Sequence, residues 1–90
     1  TVLDAIDGVV ESAVIGLPHP DFGEAVAAVI QKKPGRDDVT EASIIAHVKG
    51  ELANFKVPKR VWFVDELPRN QMGKVQKAAL REQHKAAFAG

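Results

Sequence analysis

The sequence predicts an α+β domain: a small three-stranded sheet packed with helices, in the order α-β-β-α-β-α. Two apolar, strand-like segments, "VVESAVIGL" and "EAVAAVIQKK", flank the turn-rich "PHPDFG". A third, "RVWFV", comes much later, and the stretches before and after it carry apolar residues at helical spacing. Taken in order, "TVLDAI" (1–6) reads as the end of a helix entered from upstream. Residues 9–17 and 24–33 are strands joined by the loop at 18–23, although the alanines of the second leave a helix open there. "KPGRDD" (33–38) breaks the chain, and Thr40 then caps a helix running to about Asn54, with Ile44, Ile45, Val48 and Leu52 on one face. Pro58 marks its far side, and residues 60–64 are the third strand. From about Val75 to Phe88 a terminal helix buries Ala79, Leu80 and Phe88. No repeat, low-complexity tract or internal linker interrupts the chain, so residues 1–90 are expected to be a single domain.

Composition narrows the function. A domain of ninety residues buries only about 60% of its unfolded surface, so it folds with modest stability. Twelve basic residues balance twelve acidic ones, and no global field draws the chain to nucleic acid or to an anionic membrane. The absence of cysteine excludes a disulfide framework, a thiolate metal site and a cysteine nucleophile. The longest apolar run, "AVAAVI" (25–30), is too short to span a bilayer, and no signal-peptide pattern opens the chain. A soluble, cytoplasmic protein is the expectation.

Few residues are candidates for chemistry. His19, His47 and His84 lie in three different elements without short-spaced carboxylates, so no metal site is expected and solvated or capping roles suit them better. Ser12 and Ser43 show no sequence-local base, and Asp37 and Asp38 precede a helix whose dipole favours acids. Lys77, Arg81 and Lys85 fall within about 80° of one another on the last helix, a basic stripe that reads as a solvated face. Lys74 stands apart. It follows Gly73 in "RNQMGK", read as a mobile turn presenting one long cation, and the spacing does not complete a Walker A loop because Val75 occupies the serine or threonine position.

"ESAVIGLPHPDFGEAVAAVI", followed by "IIAHVKGELANFKVPKRVWFVDELPRNQMGKVQKAALRE", resembles the C-terminal domain of the adenylate-forming (AMP-forming) acyl-CoA synthetase superfamily over essentially the whole chain. "LPRNQMGKVQK" most resembles malonyl-CoA synthetases. The resemblance implies a mobile lid, residues 1–90, that rotates on a large N-terminal domain absent from this chain. That domain would hold the phosphate loop, the acid pocket, the MgATP site and the hinge, leaving these residues inactive alone. The implied reaction joins a small carboxylic acid, here malonate or methylmalonate, to CoA through an acyl-adenylate made from ATP. By the same resemblance Lys74 is the adenylation lysine, contacting ATP and acyl-adenylate, and is a target of a protein lysine acetyltransferase. Lys49 is aligned with a basic residue that approaches the CoA phosphates, while "PHPDFG" lacks the arginine some relatives add. The alternatives are an adenylation domain that loads a carrier protein, and a non-catalytic α+β interaction module.

Overall fold

The computed structural model describes residues 2–51 and 56–88. Within them the elements run β1 (Val9–His19), β2 (Gly23–Lys32), α1 (Glu41–Lys49), β3 (Arg60–Val64) and α2 (Lys77–His84). The strands form one sheet in the order β1-β2-β3, with β2 antiparallel to β1 and parallel to β3. The parallel pair requires a crossover, which α1 supplies.

The central position of β2 explains why "AVAAVI" lacks a polar face. A strand covered on both sides has no wet side. Ala28 and Ile30 join Leu3, Val9, Val39, Val57 and Val61 under Ile44 and Val48 of α1. Ala27 and Val29 belong to the opposite layer, with Ala13, Ile15, Leu17, Leu67 and Leu80 of α2. The alanines that left a helix open are packing choices within a strand: Ala27 lies opposite Ile15 and Ala25 opposite Leu17, small against large.

Helix α1 starts where the sequence places it. The Thr40 hydroxyl accepts from Ser43 N at 3.1 Å and the Ser43 hydroxyl accepts from Thr40 N at 2.9 Å, a reciprocal cap. Glu41 then ties the first turn to β3, its carboxylate accepting from Val61 N at 2.8 Å and from Arg60 Nε at 3.1 Å. The helix ends at Lys49, with Gly50 as its cap; the expected extension to Asn54 and the burial of Leu52 fall outside the described residues.

Several boundaries differ from the sequence reading. Residues 2–8 form turns rather than a helix end, closed by Ile6 N to Leu3 O and Val9 N to Ile6 O, both 3.1 Å. Gly8, at φ +94°, is in the left-handed region and turns the chain into β1. Helix α2 is shorter than expected at both ends: Val75 is occupied in a bridge with Arg69, and Gln76 N is held by Pro68 O at 2.8 Å. Leu80 is fully buried, whereas Ala79 is half-buried and Phe88, reached through turns, packs half-buried on the edge of the same layer. Asp38 has a direct partner besides the helix dipole expected for it. It takes the fork of Arg36 at 2.8 and 2.9 Å, while the same guanidinium reaches Asp7 at 3.0 Å. That pairing holds the Asp38 carboxyl well below its ordinary value of 3.8, at about 2, and raises the Arg36 guanidinium.

Gly8→Ala should destabilise the fold by about 1–3 kcal/mol, because the residue takes a positive φ and the new Cβ would stand 2.7 Å from Val39 Cγ2; the midpoint of urea unfolding measures it. The depressed Asp38 pKa contributes stability that is present above pH 3.8 and lost as the pH falls toward about 2. The stability gap between the protein and its Asp38→Asn variant should therefore be open at neutral pH and close across that acidic window when denaturant unfolding is followed against pH.

Candidate functional site

The segment from Leu67 to Gln76 is a small antiparallel excursion between β3 and α2, and its polar residues are its framework. Leu67 is buried in the layer beneath α2, and its N–H donates to Gln31 Oε1 of β2 at 3.3 Å. From there Asn70 organises the turn. Its side-chain oxygen accepts from Met72 N at 2.9 Å and from Lys74 N at 3.0 Å, while its own N–H donates to Lys74 O at 2.9 Å. Gly73 N closes the loop onto Asn70 O at 3.0 Å, with φ +81° that glycine adopts freely. Arg69 spans two partners: one arm of the guanidinium pairs with the Glu11 carboxylate on β1, and the other donates to Gly73 O at 2.8 Å. The turn that the sequence reads as mobile has its backbone bonds made within the loop or to the sheet.

Lys74 emerges from this turn exposed, beside Met72, which is 91% exposed. Among the described residues the Lys74 ammonium has no hydrogen-bond or ion-pair partner. The arrangement joins a fixed backbone to a long flexible stem. It offers a single positive charge at a defined place, with nothing adjacent that would make the lysine a base or a nucleophile.

Lys49 lies elsewhere. It is the last residue of α1, exposed, and with Lys59, Ile45, Val57 and Pro58 it lines a shallow groove of about 390 Å³. Because α1 covers one face of the sheet and the Leu67–Val75 segment packs on the other, Lys49 and Lys74 are on opposite faces and form no common site. Lys59 was not singled out in the sequence. Its backbone N–H donates to Val26 O at 2.7 Å, while its ammonium stands 5.2 Å from the ring of Phe22, a residue that does not line the groove.

The remaining candidates have structural occupations. The His19 ring accepts from Asp21 N and Phe22 N at 3.0 and 3.3 Å, capping the β1–β2 turn, and His84 stacks on Trp62 at 4.0 Å between ring centres. His47 of α1 lies 3.9 Å from Glu51, just past the end of the helix. Ser43 belongs to the helix cap, and Ser12 donates to Asp4 at 2.6 Å. Among the described residues no three His, Cys, Asp or Glu side chains converge as a metal-ligand set, and no helix is long and apolar enough to cross a membrane. Lys77, Arg81 and Lys85 are all exposed, Lys85 donating to Glu82 at 2.7 Å. Glu24 and Glu82 share the shallow pocket that Arg81 and Lys85 line, so the stripe offers no concentrated positive field there.

Comparison with known proteins supplies context for this geometry. Residues 1–74 match the family described as the AMP-binding enzyme C-terminal domain, and the match runs to Lys74 itself. A 3-[(3aS,4S,7aS)-7a-methyl-1,5-dioxo-octahydro-1H-inden-4-yl]propanoyl:CoA ligase of Rhodococcus jostii (strain RHA1) is 52% identical over 83 residues, which is 92% of this chain and 16% of that protein. The long-chain-fatty-acid–CoA ligase FadD13 of Mycobacterium tuberculosis is 41% identical over 86 residues, 96% of this chain and 17% of the relative. The crystal structures of apo and ATP-bound MatB from Rhodopseudomonas palustris superpose with a TM-score of 0.93 at 55% and 54% identity, covering 97% of this chain and 17% of theirs. The chain therefore spans about one sixth of the length of the relatives it matches.

Proposed function

The chain belongs to the family of AMP-binding enzyme C-terminal domains, and from that membership we propose that it is the mobile lid of an AMP-forming acid–CoA ligase. The observation that supports the reading best is the division of its cations: Lys74 on a hydrogen-bonded turn on one face of the sheet, Lys49 at a groove on the other. A ligase that first makes an acyl-adenylate and then a thioester needs different groups at its site in each step. A domain that rotates on a larger partner, its own N-terminal domain, can present one face and then the other.

In the first half-reaction the carboxylate attacks the α-phosphorus of ATP and pyrophosphate leaves. Both reacting partners are anionic, so Lys74 would act by offsetting their repulsion. At about 4 Å and an effective dielectric of 20, an ammonium gains roughly 4 kcal/mol per anion before desolvation is counted. Its unbranched stem suits a group that enters and leaves with each rotation. In the second half-reaction the CoA thiol displaces AMP, and the groove at Lys49 would then face the CoA phosphates. Mg would be held by the large domain. Relatives named as CoA ligases favour free CoA over a carrier protein as the acceptor.

The resemblance of "LPRNQMGKVQK" to malonyl-CoA synthetases supports malonate or a methyl-substituted malonate as the acid, whereas the acids named for the relatives range from a bicyclic propanoate to long-chain fatty acids. A cytoplasmic setting, where ATP and CoA are available, fits the reading. Lys74 is also exposed enough to be a target of a lysine acetyltransferase, and acetylation would remove the charge the first step uses.

In the full-length enzyme, Lys74→Ala should lower acyl-adenylate formation, read as acid-dependent ATP–pyrophosphate exchange, by about 100- to 1,000-fold. Thioester formation from supplied acyl-adenylate should survive, and an equal fall in both half-reactions would refute the assignment. Lys49→Ala should instead raise the KM for CoA while leaving pyrophosphate exchange intact; steady-state kinetics with CoA as the varied substrate measure it.

A further inference from the structure

We propose that Glu11 is a positioning residue for Lys74, acting through Arg69, so that a carboxylate on the first strand sets where the lysine of the distant turn stands. The inference rests on the role proposed for Lys74 and extends it to residues that touch no substrate.

The connection begins with a register shift in β1. Val9 lies opposite Lys32 but Glu11 opposite Gln31, so Val10 is an extra residue in the strand and is left 50% exposed. Without the shift, Val9 and Glu11 would share the face covered by α1. With it, Val9 packs in the α1 layer, while Glu11 emerges beside Gln31 on the face that carries Leu67 and α2. Gln31 holds Leu67 N at the start of the turn, and Glu11 takes Arg69 two residues further on. The bulge thus delivers one carboxylate to the one place where it meets the turn.

Arg69 suits the task by shape. Its fork pairs with Glu11 through one nitrogen and donates through another to Gly73 O at 2.8 Å, the carbonyl of the peptide that enters Lys74. The pair is half-buried, with side chains 32% and 35% exposed. Asn70 fixes the Lys74 N–H and C=O directly, and Arg69 fixes the preceding carbonyl. Removing the Glu11 charge leaves Lys74 chemically unchanged but frees the guanidinium that orients Gly73. A reacting group misplaced by about 1 Å can cost on the order of 100-fold in rate.

The test uses the full-length enzyme and the variants Glu11→Gln, Arg69→Lys and their combination, with Lys74→Ala as reference. Glu11→Gln keeps the size and loses the charge; Arg69→Lys keeps the charge and loses the fork. Each should lower acid-dependent pyrophosphate exchange by about 10- to 100-fold, with thioester formation from supplied acyl-adenylate retained, and the double variant should be no worse than the poorer single one. Hydrogen exchange gives a readout independent of activity: the Lys74 and Met72 amides should exchange faster in Glu11→Gln while the β2 amides keep their protection. Unchanged exchange at Lys74, or multiplying rather than merging defects, would overturn the proposal. If Lys74→Ala itself left adenylation intact, the role assigned to the lysine would fall, and the amide measurement would still decide whether Glu11 positions it.

Discussion

Burial of β2 on both faces is the constraint from which the rest of the molecule follows. Ala27 and Val29 face one way and Ala28 and Ile30 the other, and every one of them is withdrawn from water. A sheet with such a strand at its centre cannot be finished by one helix. It needs a cover on each side, which α1 and the Leu67–Leu80 segment provide, and each cover brings its own cations to a separate surface. The two-sided chemistry proposed for the domain is therefore a consequence of how a small chain hides a doubly apolar strand. At about 25 cal/mol per Å² of apolar surface withdrawn from water, those two layers are also the main source of its stability.

The turn that carries Lys74 shows how a polar segment becomes a defined structure without a core of its own. Asn70 replaces the ladder of a longer hairpin with side-chain bonds to two backbone amides, and Arg69 supplies the carbonyl's partner. Rigidity is confined to the backbone. Beyond Cα the lysine keeps its rotatable stem, so location and reach are supplied by different residues.

The sequence was a good guide wherever local chemistry decides structure. Thr40 as a helix cap, the strand "RVWFV" at residues 60–64 and the burial of Ile44, Val48 and Leu80 follow from capping and spacing alone. It misled where tertiary partners override local pattern. "TVLDAI" has helix-like residues, but Gly8 turns the chain and short bonds close it as turns. Val75 and Gln76 look like a helix start, yet their backbone groups are taken by the hairpin. In the candidate site, Lys74 is singled out by the sequence because it follows a glycine in a recognisable motif, whereas Glu11 is not. Nothing in "VVESAVIGL" announces the bulge at Val10, and without the bulge Glu11 would belong to the other face. Lys59 was equally hidden, since its place beside Lys49 depends on the pairing of β3 with β2.

The exposure of Lys74 carries a last consequence. In bulk water an ammonium and an anion about 4 Å apart attract by only about 1 kcal/mol, whereas at an effective dielectric of 20 the same pair gains roughly 4. A lysine standing in solvent, as this one does, therefore does little for a reaction between two anions. It becomes useful when another surface excludes the water around it. Met72, apolar and almost wholly uncovered at the tip of the same turn, fits a contact that would perform this exclusion in the closure proposed for the lid. Fixing the turn in advance through Asn70, Arg69 and Glu11 would lower what the proposed closure must still organise, so that the free energy of docking could go to dehydrating the lysine rather than to ordering its backbone.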